Sequence, residues 1–168
     1  MIVVRAVVLA LCCALAAPVA AGAASPWQPF RSSPFDLPAA SRCPFPLSGR
    51  IVEDRERIRT TQTNPDGTPA QQEVRGRLVV RYINGDTGAS VTRNLTGDAL
   101  FDTRSDGSSR ITLVHGHLAV GLAATDPGGP AFLVLRGRDF AVEFGADGSR
   151  TITFGSGRVE NICQTLAS

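Results

Sequence analysis

A turn signal recurs about every twenty residues along most of this chain, and that rhythm leaves it few possible folds. The signals are Asn64-Pro65-Asp66-Gly67, Asn84-Gly85-Asp86, Asp106-Gly107, Asp126-Pro127-Gly128-Gly129-Pro130 and Asp147-Gly148. Gly, and to a lesser degree Asn and Asp, tolerate positive φ, and an Asx side chain bonds backbone two residues on, so each cluster reverses the chain tightly. The intervening segments are rich in Val, Ile, Thr, Leu and Phe and lack the i, i+3, i+4 spacing of an amphipathic helix. They predict six long strands joined by hairpins, an antiparallel meander.

The alternation within the strands carries more detail. Leu78, Val80 and Tyr82 share one face, as do Val91, Arg93 and Leu95, then Phe140, Val142 and Phe144, then Ile152 and Phe154. Ile111 and Leu113 have one parity, whereas Leu118, Val120 and Leu122 have the other, and the switch falls at Gly116. A similar switch surrounds Gly137, and Gly97 interrupts the third strand. Mid-strand glycines at a parity change predict bulges or sharp coiling, which let long strands curl. The expected fold is all-β, a single antiparallel meander curled into a β-barrel or strongly bent sheet of lipocalin-like or dirigent-like architecture, with a β-sandwich as the alternative. The stretch from Arg50 to Thr63 is ambiguous, since Glu53-Asp54-Arg55-Glu56-Arg57 suits a helix too. The Thr60-Thr61-Gln62-Thr63 tail favours an exposed, edge-like strand.

The N-terminus has the layout of an export signal. Met1 to Arg5 carries one positive charge, Ala6 to Ala17 is apolar, and Ala21-Gly22-Ala23 is an A-x-A cleavage pattern. Residues 1–23 are therefore expected to be a removable signal peptide and the protein to be secreted, with no membrane span after cleavage, because the apolar run is shorter than a bilayer requires. Cys12 and Cys13 raise lipid anchoring as an alternative. Leu11 and Cys12 stand where such sites prefer a small residue, which disfavours it. Residues 24–42, with Pro26, Pro29, Pro34 and Pro38, form a Pro-rich strap or tether that Trp27, Phe30 and Phe35 could pin to an apolar surface, and residues 43–168 form the β domain. Two cysteines remain in the mature chain, Cys43 and Cys163, and a disulfide between them is the one intramolecular pairing open to it.

All seventeen basic residues are Arg, against fifteen Asp plus Glu, and loss of Arg5 lowers the net charge from +2 to +1. The absence of Lys reads as GC-rich coding. The arginines are interspersed with acids and form no basic stripe, so nucleic acid is not an expected partner. In Arg136-Gly137-Arg138-Asp139 this mixing reads as surface ion pairing.

Candidate chemistry is sparse. His115-Gly116-His117 has metal-ligand spacing, since residues two apart on a strand project to one side. A third ligand would have to be a carboxylate such as Asp102, Asp139 or Glu143. Cupin-type barrels place a Glu a few residues after such a pair, where this chain has Leu118, Ala119, Val120 and Gly121. The two histidines are thus read as polar residues at a bulge, with no metal and no cofactor. Gly155-Ser156-Gly157 lacks the G-x-S-x-G spacing of a nucleophile elbow, and no catalytic residue is assigned. Asn94-Leu95-Thr96 is a glycosylation sequon by pattern alone, and turn formation accounts for Asp86, Asp106 and Asp147 without calcium.

With Arg42-Cys43-Pro44-Phe45-Pro46-Leu47 opening the domain and Gly155-Ser156-Gly157-Arg158-Val159-Glu160-Asn161-Ile162-Cys163 closing it, the mature chain resembles uncharacterised exported β proteins of high-GC Gram-positive bacteria. The resemblance implies secretion, a Cys-to-Cys staple and a barrel-like fold, and it carries no catalytic residues. The expected function is non-enzymatic binding of a small apolar ligand or a cell-envelope component. The alternatives are a barrel enzyme of the cyclase or isomerase type and an adhesive or structural surface module.

Protein purified without a His tag or added metal is expected to carry no stoichiometric zinc, copper or nickel. One equivalent of metal that disappears in the His115→Ala, His117→Ala double variant would make it a metalloprotein.

Overall fold

The computed structural model describes residues 24–167, so the expected signal peptide lies outside the described residues. The strands are β1 (Gln28–Pro29), β2 (Phe35–Leu37), β3 (Leu47–Asp54), β4 (Arg57–Thr63), β5 (Pro69–Gly76), β6 (Leu78–Asn84), β7 (Ser90–Asn94), β8 (Gly97–Thr103), β9 (Ser109–Leu122), β10 (Ala131–Arg138), β11 (Phe140–Phe144), β12 (Arg150–Thr153) and β13 (Ser156–Asn161). A single turn of helix, α1 (Ile162–Thr165), follows. The protein is all-β with two antiparallel sheets. One runs β1-β4-β5-β8-β9-β10-β13, with β11 on β9 and β12 on β11, and the other runs β2-β3-β6-β7. Both paths are open, and among the described residues no ring of strands closes.

The meander of long strands is present, with five of the six strands cut near their middles. β3 and β4, β5 and β6, and β7 and β8 are halves of single runs whose two halves belong to different sheets. Only β9 passes through unbroken. Arg50 to Thr63 is strand throughout except at Arg55 and Glu56, where the run changes sheet.

The breaks align. Gly76 of β5 lies opposite Gly97 of β8, Gly97 opposite Gly116 of β9, Gly116 opposite Gly137 of β10, and Gly137 opposite Gly157 of β13. Five glycines thus form one seam across five strands. Gly116 has φ +104°, and a Cβ there would sit 2.4 Å from the Thr96 carbonyl oxygen. Gly137 has φ +142°, with the Ser156 carbonyl oxygen 2.1 Å from a Cβ position. An L side chain is excluded at these points twice over, by the backbone conformation and by the neighbouring strand.

The extra residue Val114, unpaired between Leu113 and His115, gives β9 its parity switch, so that Leu113 and Leu118, Val120 and Leu122 reach the same core. Alternate residues of β10 serve two cores: Phe132 and Val134 join Leu78, Val80, Tyr82 and Leu95, while Ala131, Leu133 and Leu135 join Leu113, Phe140 and Val142. Every residue from Ala131 to Leu135 is buried, as a strand covered on both faces requires. Each of the Phe, Leu and Val side chains among them contributes about 1.5–3 kcal/mol by leaving water.

The strap lies on the sheets and covers two of their edges, β1 pairing with β4 and β2 with β3. Phe35 lies over Gly49, where a Cβ would be 2.4 Å from the ring, and its centroid is 5.5 Å from that of Phe132. Two guanidinium groups pack on the Trp27 ring, Arg59 at 4.6 Å and Arg75 at 4.0 Å from its centroid. Cys43 and Cys163 are disulfide-bonded with Cα atoms 5.3 Å apart, tying the entry of β3 to α1.

Three hairpin tips share one device. Asp66, Asp106 and Asp147 each accept from the backbone N–H and the hydroxyl two residues on, at Thr68, Ser108 and Ser149, with hydroxyl distances of 2.6 Å. These bonds, chiefly those from the hydroxyls, hold the three carboxyls below the ordinary carboxylate range.

Gly116→Ala is expected to lose about 4 kcal/mol or more, or to prevent folding. Gly88→Ala, also at positive φ but with nothing within 4 Å of the Cβ position, should lose only about 1–2 kcal/mol. Urea unfolding of the two variants checks this, and equal losses would refute the seam. Replacing both Cys43 and Cys163 by Ser should cost up to roughly 4–5 kcal/mol, because the bond spans a sequence separation of 120.

Candidate functional site

The seam leaves a gap beside β9. β8 begins at Gly97, opposite Gly116, and the preceding β7 belongs to the other sheet, so beyond the bond from the His117 N–H to the Thr96 carbonyl β9 has no strand on that edge. A cleft of about 440 Å³ fills the space, walled by Arg93 and Asn94 of β7 and by His117, Val134, Arg136, Arg158, Val159 and Glu160. A second hollow of about 200 Å³ also touches His117, and its other walls include Phe30, Glu56, Leu78, Leu95, Phe101 and Leu118.

Across the larger cleft the two sheets meet through charge. Arg93 lies opposite Val80, whose side chain is in the core, and Glu160 lies opposite Val134, in the same core. The Arg93 Nε donates to Glu160 Oε2 at 2.7 Å and Nη2 to Oε1 at 2.5 Å, a bidentate pair between strands of different sheets. The Thr165 hydroxyl donates to the same carboxylate at 2.9 Å. Arg93 is the main reason that the Glu160 carboxyl lies below its ordinary range. Tyr82 lies near this pair. Burial pushes its hydroxyl pKa well up, and the Glu160 charge adds to the effect.

His117, Arg136 and Arg158 form one cross-strand row, His117 opposite Arg136 and Arg136 opposite Arg158. Opposed residues share a sheet face, so three basic side chains line up at the cleft. Arg136 and Arg158 are solvent-exposed and have no carboxylate partner among the described residues, so the ion pairing expected around Arg136-Gly137-Arg138-Asp139 does not form. Asp139 instead takes a positive φ of 61° between β10 and β11.

The smaller hollow contains a carboxyl of unusual character. Burial is the largest influence on Glu56 and raises its pKa, the bond from the Ser32 hydroxyl at 2.7 Å opposes this, and the negative charge of Asp54 adds to it. Asp54 in turn accepts from the Ser32 N–H at 2.8 Å and the Glu56 N–H at 3.0 Å. The strap is thereby docked at the point where β3 passes into β4.

The two histidines are not brought together. His115 Nε2 lies 3.5 Å from Asp98 Oδ2, whereas His117 Nδ1 lies 3.2 Å from the Thr96 carbonyl oxygen. Val114 is an extra residue between the paired positions Leu113 and His115, so the bulge falls two residues before Gly116, where the parity pattern placed the switch. Asp102 accepts from Gln71 and Glu143 pairs with Arg104 and Arg110, so neither joins a histidine. Among the described residues no group of three His, Cys, Asp or Glu side chains is placed to hold an ion. Glu56, Arg93, Arg136, Arg158 and Glu160 were not singled out from the sequence, where each is one charge among many. The one signal available was the parity of Arg93 with Val91 and Leu95.

Comparison with protein-family models, with curated proteins and with solved structures finds no match for this chain.

The two glutamates should oppose one another in pH. Glu160, with a lowered folded pKa, stabilises above its ordinary range, and that contribution is lost as pH falls through the lowered value. Glu56, with a raised folded pKa, imposes a cost that develops as pH rises from the ordinary value through the raised one. At pH 7 Glu160→Gln should therefore lower the melting temperature and Glu56→Gln should raise it, with the Glu56→Gln effect vanishing below about pH 4. Scanning calorimetry across pH checks both signs.

Proposed function

We propose that this is an exported, non-catalytic binding protein that takes a small ligand with an apolar portion, or a component of the cell envelope, into the space between its two sheets. The observation that carries this reading is the pair of hollows meeting at His117, whose walls combine exposed polar groups with Phe30, Leu78, Leu95, Phe101 and Leu118. A concave, largely apolar site with a few polar groups at its mouth is the usual form of a small-molecule site, and the larger hollow has a suitable volume. A barrel-like or sandwich-like wrap of the sheets belongs to this reading, with Arg93 and Glu160 clamping the two walls. The disulfide supports an oxidising compartment, and no described helix is long and apolar enough to cross a membrane.

Glu56 favours a second reading, an enzyme of the isomerase or cyclase type. A carboxyl with a raised pKa inside an apolar hollow is the form a proton-transferring group takes, and His117 lines the same space.

The binding reading predicts that Nile red, an uncharged apolar dye, binds saturably near one equivalent and is displaced by medium-chain alcohols. Ala119→Phe, which fills the smaller hollow from its wall, should weaken binding roughly tenfold or more while leaving the fold intact by circular dichroism. Absence of saturable binding to the native protein would sink this reading. Turnover of a cyclisable or isomerisable compound that is abolished by Glu56→Gln would replace it with the enzymatic one.

A further inference from the structure

Like charges directly opposite one another on adjacent strands destabilise a sheet, and this protein places Arg136 directly opposite Arg158. Elsewhere, several carboxylates offset arginines: Glu73 with Arg59, Glu53 with Arg55 and Arg77, Glu143 with Arg104 and Arg110, Asp36 with Arg50. The carboxylate in the cleft itself, Glu160, is engaged on both oxygens by Arg93 and on Oε1 by Thr165. Arg136 and Arg158 therefore face the cleft without a hydrogen bond or an ion pair among the described residues.

The charge balance follows. Arg93 and Glu160 cancel, leaving two uncompensated positive charges on neighbouring strands, whose opposed Cβ atoms lie roughly 5 Å apart by sheet geometry. Each guanidinium presents a planar fork of N–H donors. A carboxylate has two oxygens and one charge, and one fork satisfies it. A terminal phosphoryl group has three oxygens and up to two negative charges, and it accepts from two forks at once.

His117 completes the row. A carbonyl can only accept, so the contact with Thr96 requires the proton on Nδ1 and leaves Nε2 as the open nitrogen. Nε2 can accept from the hydroxyl of a singly ionised phosphate. The Asn94 Oδ1 is occupied by the Thr96 N–H and hydroxyl, which leaves its amide N–H groups as further donors on the opposite wall.

We propose that Arg136 and Arg158, with His117, form a binding site for a terminal phosphoryl group at the mouth of the cleft between the sheets. The substituent of that group runs over Val134 toward the core. This names the head group of the ligand in the binding reading above, yet it rests on charges and strand register that the apolar hollow does not involve. Free phosphate and the phosphate monoester of a lipid or other apolar alcohol share the chemistry.

Isothermal titration of the whole purified protein, disulfide intact, with inorganic phosphate, octyl phosphate, octanoate and octanol separates the possibilities. Octyl phosphate should bind at least roughly tenfold more tightly than octanoate or octanol. Arg136→Ala and Arg158→Ala should each weaken it about tenfold or more, and Arg138→Ala should leave it unchanged. Arg136→Lys with Arg158→Lys keeps the charge but removes the forks, and it should recover only part of the affinity. Circular dichroism of each variant excludes misfolding. Octyl phosphate bound no better than octanoate, or bound by both alanine variants as tightly as by the native protein, overturns the site. Octanol and octyl phosphate bound alike, independently of the arginines, would leave the apolar-ligand reading standing and remove the phosphoryl site. Arginine-dependent binding of inorganic phosphate with no gain from the octyl chain would keep the site and remove the apolar ligand.

Discussion

Five glycines that face one another across five strands allow everything else in this fold. A β-strand carries a side chain on alternate faces, and two strands can approach closely at a bend only where those side chains are missing. Along the seam from Gly76 to Gly157 the backbone atoms of neighbouring strands occupy the places that Cβ atoms would take. The strands therefore bend together, as one crease. On one side of the crease one half of each of the first three long strands separates into another sheet, and on that same side β10 becomes a shared wall with a core on each face.

A creased, open pair of sheets needs fastening, and the fastenings are of different physical kinds. The disulfide acts on the unfolded chain, by closing a long loop between the start and end of the domain. The aromatic contacts of Phe35, Tyr82 and Phe132 act through buried area and ring geometry, and they bring the strap into the main core. The Arg93–Glu160 pair is partly exposed, so its energetic contribution is modest, but its bidentate geometry sets how the two sheets lie along the cleft. The strap covers backbone edges at β3 and β4 that would otherwise be free to pair with other chains.

The crease also creates the site. Because β7 departs from β9 at the seam, one edge of β9 is uncovered, and the row of His117, Arg136 and Arg158 opens onto the gap. Two positive charges held side by side without a counter-charge raise the energy of the empty protein and make it receptive to an anion. The neighbouring hollow adds apolar walls and the half-buried Glu56. The creased fold and the proposed site thus come from one event, the failure of β7 and β9 to pair beyond Thr96.

The strand rhythm, the hairpin tips and the all-β class were determined by the sequence alone, because each depends on local chemistry, turn residues and alternation, and the Cys43–Cys163 bridge was the one pairing expected outside the apolar N-terminal run. Gly97, Gly116 and Gly137 were also visible as interruptions of parity. Their alignment was not, since it depends on register, and Gly76 and Gly157, which complete the seam, look like ordinary strand-end or turn glycines in one dimension. The change of sheet at Arg55 and Glu56 was hidden for the same reason, inside a run of charges that suits helix or strand. The cleft was decided by the tertiary structure alone. Arg93 and Glu160 are far apart in sequence, and so are His117 and Arg158, and only pairing across strands sets which arginine meets a carboxylate and which is left with its charge exposed to the gap.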